Sequence, residues 1–102
     1  MNRDAFQAIA DPTRRSILLK LTAKSQNVNA LAEQFDMTRQ AVSLHVKILH
    51  ECGMISIQKE GRERFCYLRA HKLREVHDWL APFRKQWEDR FGRLDQVLNE
   101  NI

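Results

Sequence analysis

The chain has 102 residues, 43% hydrophobic and 29% charged, a balance that fits one compact domain (1–102) with a modest core and leaves no room for a second. Its formal net charge of +4 at pH 7 and isoelectric point of about 9.4 suit a polyanionic partner. Two cysteines in no metal-ligand spacing, Cys52 and Cys66, argue against a disulfide scaffold or a zinc site.

No charged-then-apolar leader and no long apolar run occur, so a cytoplasmic protein with no membrane partner is expected. A chain this short buries limited area by itself, which makes a second copy a natural source of stability.

In chain order, Asp4 to Ala10 places Phe6, Ile9 and Ala10 at helical spacing, and the pattern breaks at "ADPTRR". Asp11 is a good N-cap and Pro12 suits the first helical position; Ile17, Leu18 and Leu21 continue the period, predicting a helix from Pro12 to about Ala23. "KSQNVN" is polar and turn-like. "ALAEQF" then puts Leu31, Ala32 and Phe35 on one face of a short helix, with Asn27 or Asn29 as cap.

Asp36 and Met37 connect tightly to Thr38, which caps a third helix running to about Cys52, and Gly53 sits where a left-handed terminal residue is wanted. Two helices joined so briefly, the second polar on its outer face, describe a helix-turn-helix. "ISIQKEGRERFCYL" alternates as strand, turn and strand with Gly61 at the turn. From Lys72 to about Leu98 the helical period returns, and Pro82 is expected to kink or interrupt that helix.

If Val42, Val46 and Leu49 face the core, a rotation of about 100° per residue gathers Gln40, Ser43, Leu44 and Lys47 on the far side, with Arg39 at the N-terminal end. Arg can bond guanine O6 and N7 in a fork, Gln can bond adenine N6 and N7, Lys can reach phosphate, and Leu44 can touch a thymine methyl. The plain alternative is the solvated face of an amphipathic helix. The preceding helix, the tight turn and the hairpin favour DNA recognition over it. Thr38 has a sufficient task as N-cap, and it and Ser43 are also candidates for phosphate. Lys59, Arg62 and Arg64 around the hairpin turn suit a wing on the DNA backbone, although edge strands also carry such residues against aggregation.

The segments "FQAIADPTRRSILLKL", "LAEQFDMTRQAVSLHVKILHECGMI" and "EGRERFCYL" together resemble the ArsR family of bacterial winged-helix transcriptional repressors, over roughly Phe6 to Leu68. The resemblance implies a mainly α winged helix-turn-helix with a small β-hairpin. It further implies a homodimer on an inverted-repeat operator, with DNA contact at Thr38, Arg39, Gln40, Ser43 and Lys47 and wing contact at Arg62 and Arg64. His45 matches a recurrent histidine of the family and is read as packing before contact.

The metal sites of the resembling sensors are missing here: "VNALAEQF" has no Cys-x-Cys pair, and "EVHDW" is followed by Trp87 and Glu88 instead of the ligands of the zinc sensors. No metal or cofactor is expected. An effector, if one exists, would be a small molecule or a protein. His71 and His77, six positions apart, fall on different faces of a helix, and both cysteines read as small buried residues with no redox role required.

The stripe Trp79, Phe83, Trp87, Phe91 and Leu94 exceeds what so small a domain covers alone, so with Phe6 and Ile9 it is expected to form the dimer interface, helix 72–98 pairing with its copy. A different class of reading makes that stripe the dock for a protein partner of a DNA-blind winged helix. An enzyme is not expected, since no nucleophile with a paired base and no phosphate-cradling glycine loop is visible.

Overall fold

A computed structural model describes the backbone of residues 3–100 and the side chains of residues 3–91. Helix α1 (Ala5–Ala8) leads into α2 (Pro12–Ala23), followed by the two-residue strand β1 (Gln26–Asn27), α3 (Val28–Glu33) and α4 (Arg39–Glu51). Strands β2 (Ile55–Glu60) and β3 (Glu63–Leu68) form the hairpin, and a 3-10 turn (Ala70–Leu73) passes into the long helix α5 (Arg74–Glu100).

Local chemistry sets most of these boundaries. Asp4, Asp11, Asn27 and Thr38 each accept a hydrogen bond from the backbone N–H three residues on, satisfying an otherwise orphan donor of the helix they start. Of the two candidate caps for α3, Asn27 is therefore the one used. The helix begins at Val28 and ends at Glu33, two residues ahead of the expected "ALAEQF".

Gly53 stops α4 with φ of 77°, a left-handed conformation that a side chain would strain. Gly61 has φ of 66° and opens a two-residue hairpin loop whose other member, Arg62, does not; a positive φ at the first position alone is the type II′ pattern.

The sheet differs from the expectation of a plain hairpin. It has three strands in the order β1-β3-β2, because Gln26 and Asn27 pair antiparallel with Cys66 and Phe65. The segment expected to be only a turn thus ties the wing to the start of α3. Gln26 is buried and hydrogen-bonded at both ends of its amide, donating to the Lys20 carbonyl at 3.3 Å and accepting from Gln34 Nε2 at 2.6 Å.

Ile17, Leu21, Leu31, Val42, Val46, Leu49, Met54, Ile55 and Cys66 make the centre of the core, with α2, α3 and α4 packed over the sheet. Cys52 and Cys66 are free and buried, and burial pushes both thiols up from their ordinary range, which keeps them protonated and poorly nucleophilic.

The basic pair of "DPTRR" has a structural use. Arg14 donates to the carbonyls of Ala8 (3.0 Å) and Gln7 (2.9 Å), and Arg15 to that of Ile9 (2.7 Å), closing the C-terminal end of α1. At its other end the Ala5 N–H donates to Glu75 of α5 at 3.1 Å, so this single-turn helix is held from both sides.

Pro82 lies inside α5 without interrupting it. The 27 residues of this helix span about 40 Å, and among the described residues only its first turns reach the core, through Val76 and Leu80.

Candidate nucleic-acid interface

Helix α4 presents the two faces that its periodicity requires. Val42, Val46 and Leu49 are buried, while Arg39, Gln40, Ser43, Leu44 and Lys47 are exposed, Leu44 at 58%. Thr38 spends a lone pair on the Ala41 N–H (3.1 Å) but keeps its hydroxyl proton free to donate. His45 points inward and is only 19% exposed, its Nδ1 3.8 Å from the Asp11 carboxylate that caps α2.

Burial works to raise the Asp11 pKa. The Arg14 and Thr13 backbone N–H groups, with the nearby His45 and Arg14 charges, outweigh it and leave the carboxyl below its ordinary value of 3.8.

The hairpin stands beside α4 and the two enclose a groove. Gln40, Ser43, Leu44 and Lys47 from α4 line it with Arg64 from β3, over a floor of Val28, Val46 and Ile57; His50 joins them one turn beyond Lys47. A second hollow follows immediately, lined by Arg39 and Ser43 on one side and by Arg62, Glu63 and Arg64 on the other, with Asn27 and Asn29 from the start of α3. The fold thus brings together seven of the nine expected DNA-contact residues. Thr38 and Lys59 line neither hollow.

Strand register sorts the wing's charges. Lys59 lies directly opposite Arg64, and Glu60 opposite Glu63, both unfavourable like-charge pairs. The Glu60 carboxylate is relieved by Tyr67, whose hydroxyl donates to it at 2.6 Å; that bond holds the phenol above its usual range. Lys59 and Arg64 have no such relief. Among the described residues none of Arg39, Lys47, Lys59, Arg62 and Arg64 forms an ion pair, whereas Arg3 binds Glu51 at 3.1 Å. Cations without an ion-pair partner, with Glu63 the one carboxylate among the described residues lining the two hollows, leave a net positive surface suited to an external polyanion.

Val28, Asn29, His50 and Ile57 were missed by the sequence reading. His50 was within reach, since it continues the row of Lys47 by three positions; the α3 residues were not, because their placement depends on where α3 starts.

The expected interface residues form an exposed strip. Phe6 packs edge-on against Trp79 with ring centroids 5.8 Å apart, and Trp79 lies 5.0 Å from Phe83. Trp87 and Phe91, at 49% and 63% exposure, continue the strip along α5. Ile9 is half-buried against the core, and Leu94 lies outside the described side chains.

His71 and His77 do not share a helix at all: His71 is in the 3-10 turn, while His77 on α5 contacts Asp78 and Arg84. Among the described residues no group of three or more His, Cys, Asp or Glu side chains is placed to hold a metal, and no helix is long and apolar enough to cross a membrane.

The sequence model described as bacterial regulatory protein, arsR family, matches residues 11–56, which run from the cap of α2 into β2. The transcriptional repressor SdpR of Bacillus subtilis is 31% identical over 80 residues, 78% of this chain and 89% of that protein. Among solved structures, an ArsR family transcriptional regulator superposes with a TM-score of 0.70 at 38% identity, covering 81% of this chain and 86% of the other. An ArsR-like transcriptional regulator from Rhodococcus sp. RHA1 gives a TM-score of 0.70 at 28% identity, over 93% and 87%.

Proposed function

Because this chain belongs to the ArsR family of bacterial regulatory proteins, and so is a DNA-binding transcription regulator and not an enzyme, we propose that it acts as a homodimeric repressor seated on an inverted-repeat operator. In this reading α4 enters the major groove of each half-site. Arg39, Gln40 and Leu44 read base edges, while Thr38, Ser43 and Lys47 hold phosphates. Lys59, Arg62 and Arg64 carry the wing along the flanking backbone.

The observation that carries the reading is the cationic groove shared by α4 and β3, whose arginines and lysines have no carboxylate partners. Solvation of α4 alone would explain its own cations, and protection of an edge strand the wing's, but neither accounts for the two sets lining one groove.

The two copies are proposed to pair through Phe6, Ile9, Trp79, Phe83, Trp87, Phe91 and Leu94, setting the two recognition helices about one DNA turn apart. The whole chain acts as one domain in the cytoplasm, and repression follows from occupying a promoter.

Selection of bound duplexes from a random-sequence pool at near-physiological salt tests the reading. An enriched inverted repeat is expected. Unpatterned recovery that vanishes as salt rises would mean phosphate binding alone and would overturn it.

A further inference from the structure

We infer that Lys47, His50 and Arg64 form a seat for one backbone phosphate of the operator, with His50 binding as the imidazolium, so that the protein's DNA affinity follows pH. The inference rests on the operator-binding reading above and adds a residue and a regulating condition to it.

Three observations converge on this corner. First, the three side chains line one groove although they come from two elements, α4 and β3. His50 follows Lys47 by three positions and shares its face of the helix, and both are exposed.

Second, every charged group facing the groove is cationic. Lys47 is on the same helix and Arg64 on β3; among the described residues no carboxylate lines this groove, Lys59 stands outside its lining on β2 opposite Arg64, and Glu63 lines only the adjoining hollow. Glu51, next to His50 in sequence, is drawn away to Arg3 at 3.1 Å. Two like charges paired across strands, with a third basic group facing them, cost stability in the free protein and are compensated when an anion lies between them.

Third, His50 is the basic residue in the last turn of α4, where the partial negative charge of the helix end favours a cation. That end does not itself attract a phosphate, so the attraction comes from the three side chains.

A neutral imidazole can donate a hydrogen bond to phosphate, but only the imidazolium adds a charge to it, and imidazole is the side chain whose charge changes near neutral pH. The sign follows: affinity increases as pH falls and the ring gains its proton.

Binding of the selected operator duplex to the full chain, measured by fluorescence anisotropy across pH and salt, tests this. For the unaltered protein, affinity is expected to rise about tenfold between pH of about 8 and about 6. His50→Gln should flatten that rise and reduce the salt slope at the acid end by about one. His50→Arg should bind at the higher affinity throughout, with no pH step. Circular dichroism of each variant confirms folding, and His50 is exposed, so neither change opens the core.

The chain has three other histidines, His45, His71 and His77. A pH step that survives in both variants would assign it to one of them and overturn the proposal. A flat profile in the unaltered protein would overturn it too. If no operator is selected at all, the operator reading fails first; a selected operator with a profile unaffected by His50→Gln sinks only the phosphate seat.

Discussion

Arg39 and Arg62 face each other across the same hollow, one on a helix end and one at a hairpin tip, and their chemistry predicts opposite signatures. Arg39→Ala should relax base preference at one operator position and weaken the best site by roughly 1 to 3 kcal/mol, whereas Arg62→Ala should weaken all sequences alike. Competition binding against single-base operator variants separates the two, and an Arg39→Ala protein with unchanged preference would refute its assignment.

Residues acting on their own backbone were the most legible of all. Asp11, Thr38, Gly53 and Gly61 do what their types require because a cap or a positive φ is decided within a few positions. His50 continues the row of Lys47, but Arg64, which lines the same groove, comes from a strand distant in sequence.

Among the elements, α2 depends visibly on its cap. Asp11→Ala should cost about 1 kcal/mol in urea unfolding at neutral pH. Since the folded-state carboxyl pKa lies below its ordinary value, the charge contributes stability above the unfolded-state value and loses it as pH falls through the folded one. The difference between the unaltered protein and the variant should therefore shrink in acid. A constant gap would show that the ionised form matters little.

Helix α5 belongs to the same scale: its exposed strip predicts that Trp87→Glu yields monomers on light scattering that also lose operator affinity, and a dimeric variant would refute the interface. The strand β1 shows where reading elements from sequence fails. Two polar residues carry no alternation of their own, and their partners in β3 are contributed by the fold, not by neighbours. Pro82 stays within a continuous α5, so the expected interruption does not occur: its missing N–H costs one hydrogen bond of a 27-residue helix.

For the whole molecule, the order of helices and the change of period after Gly53 already specified a helix-turn-helix followed by a hairpin, and the family resemblance implied their assembly as a winged helix. The groove that gathers these separate basic residues was not readable, as it arises from how the hairpin sits beside α4, with β2 packed against that helix. Asn27 has a part in that arrangement: its backbone pairs with Phe65 in the wing, and its side chain caps α3 through the Ala30 N–H at 2.6 Å. One residue thus joins the wing to the helix-turn-helix on both the strand and the helix side. On the proposed reading, a duplex would meet a wing and a helix already tied together, which lowers the ordering cost at the moment of contact. The encounter rate is then governed by orientation and by the ionic strength of the medium, as in the docking of two rigid bodies.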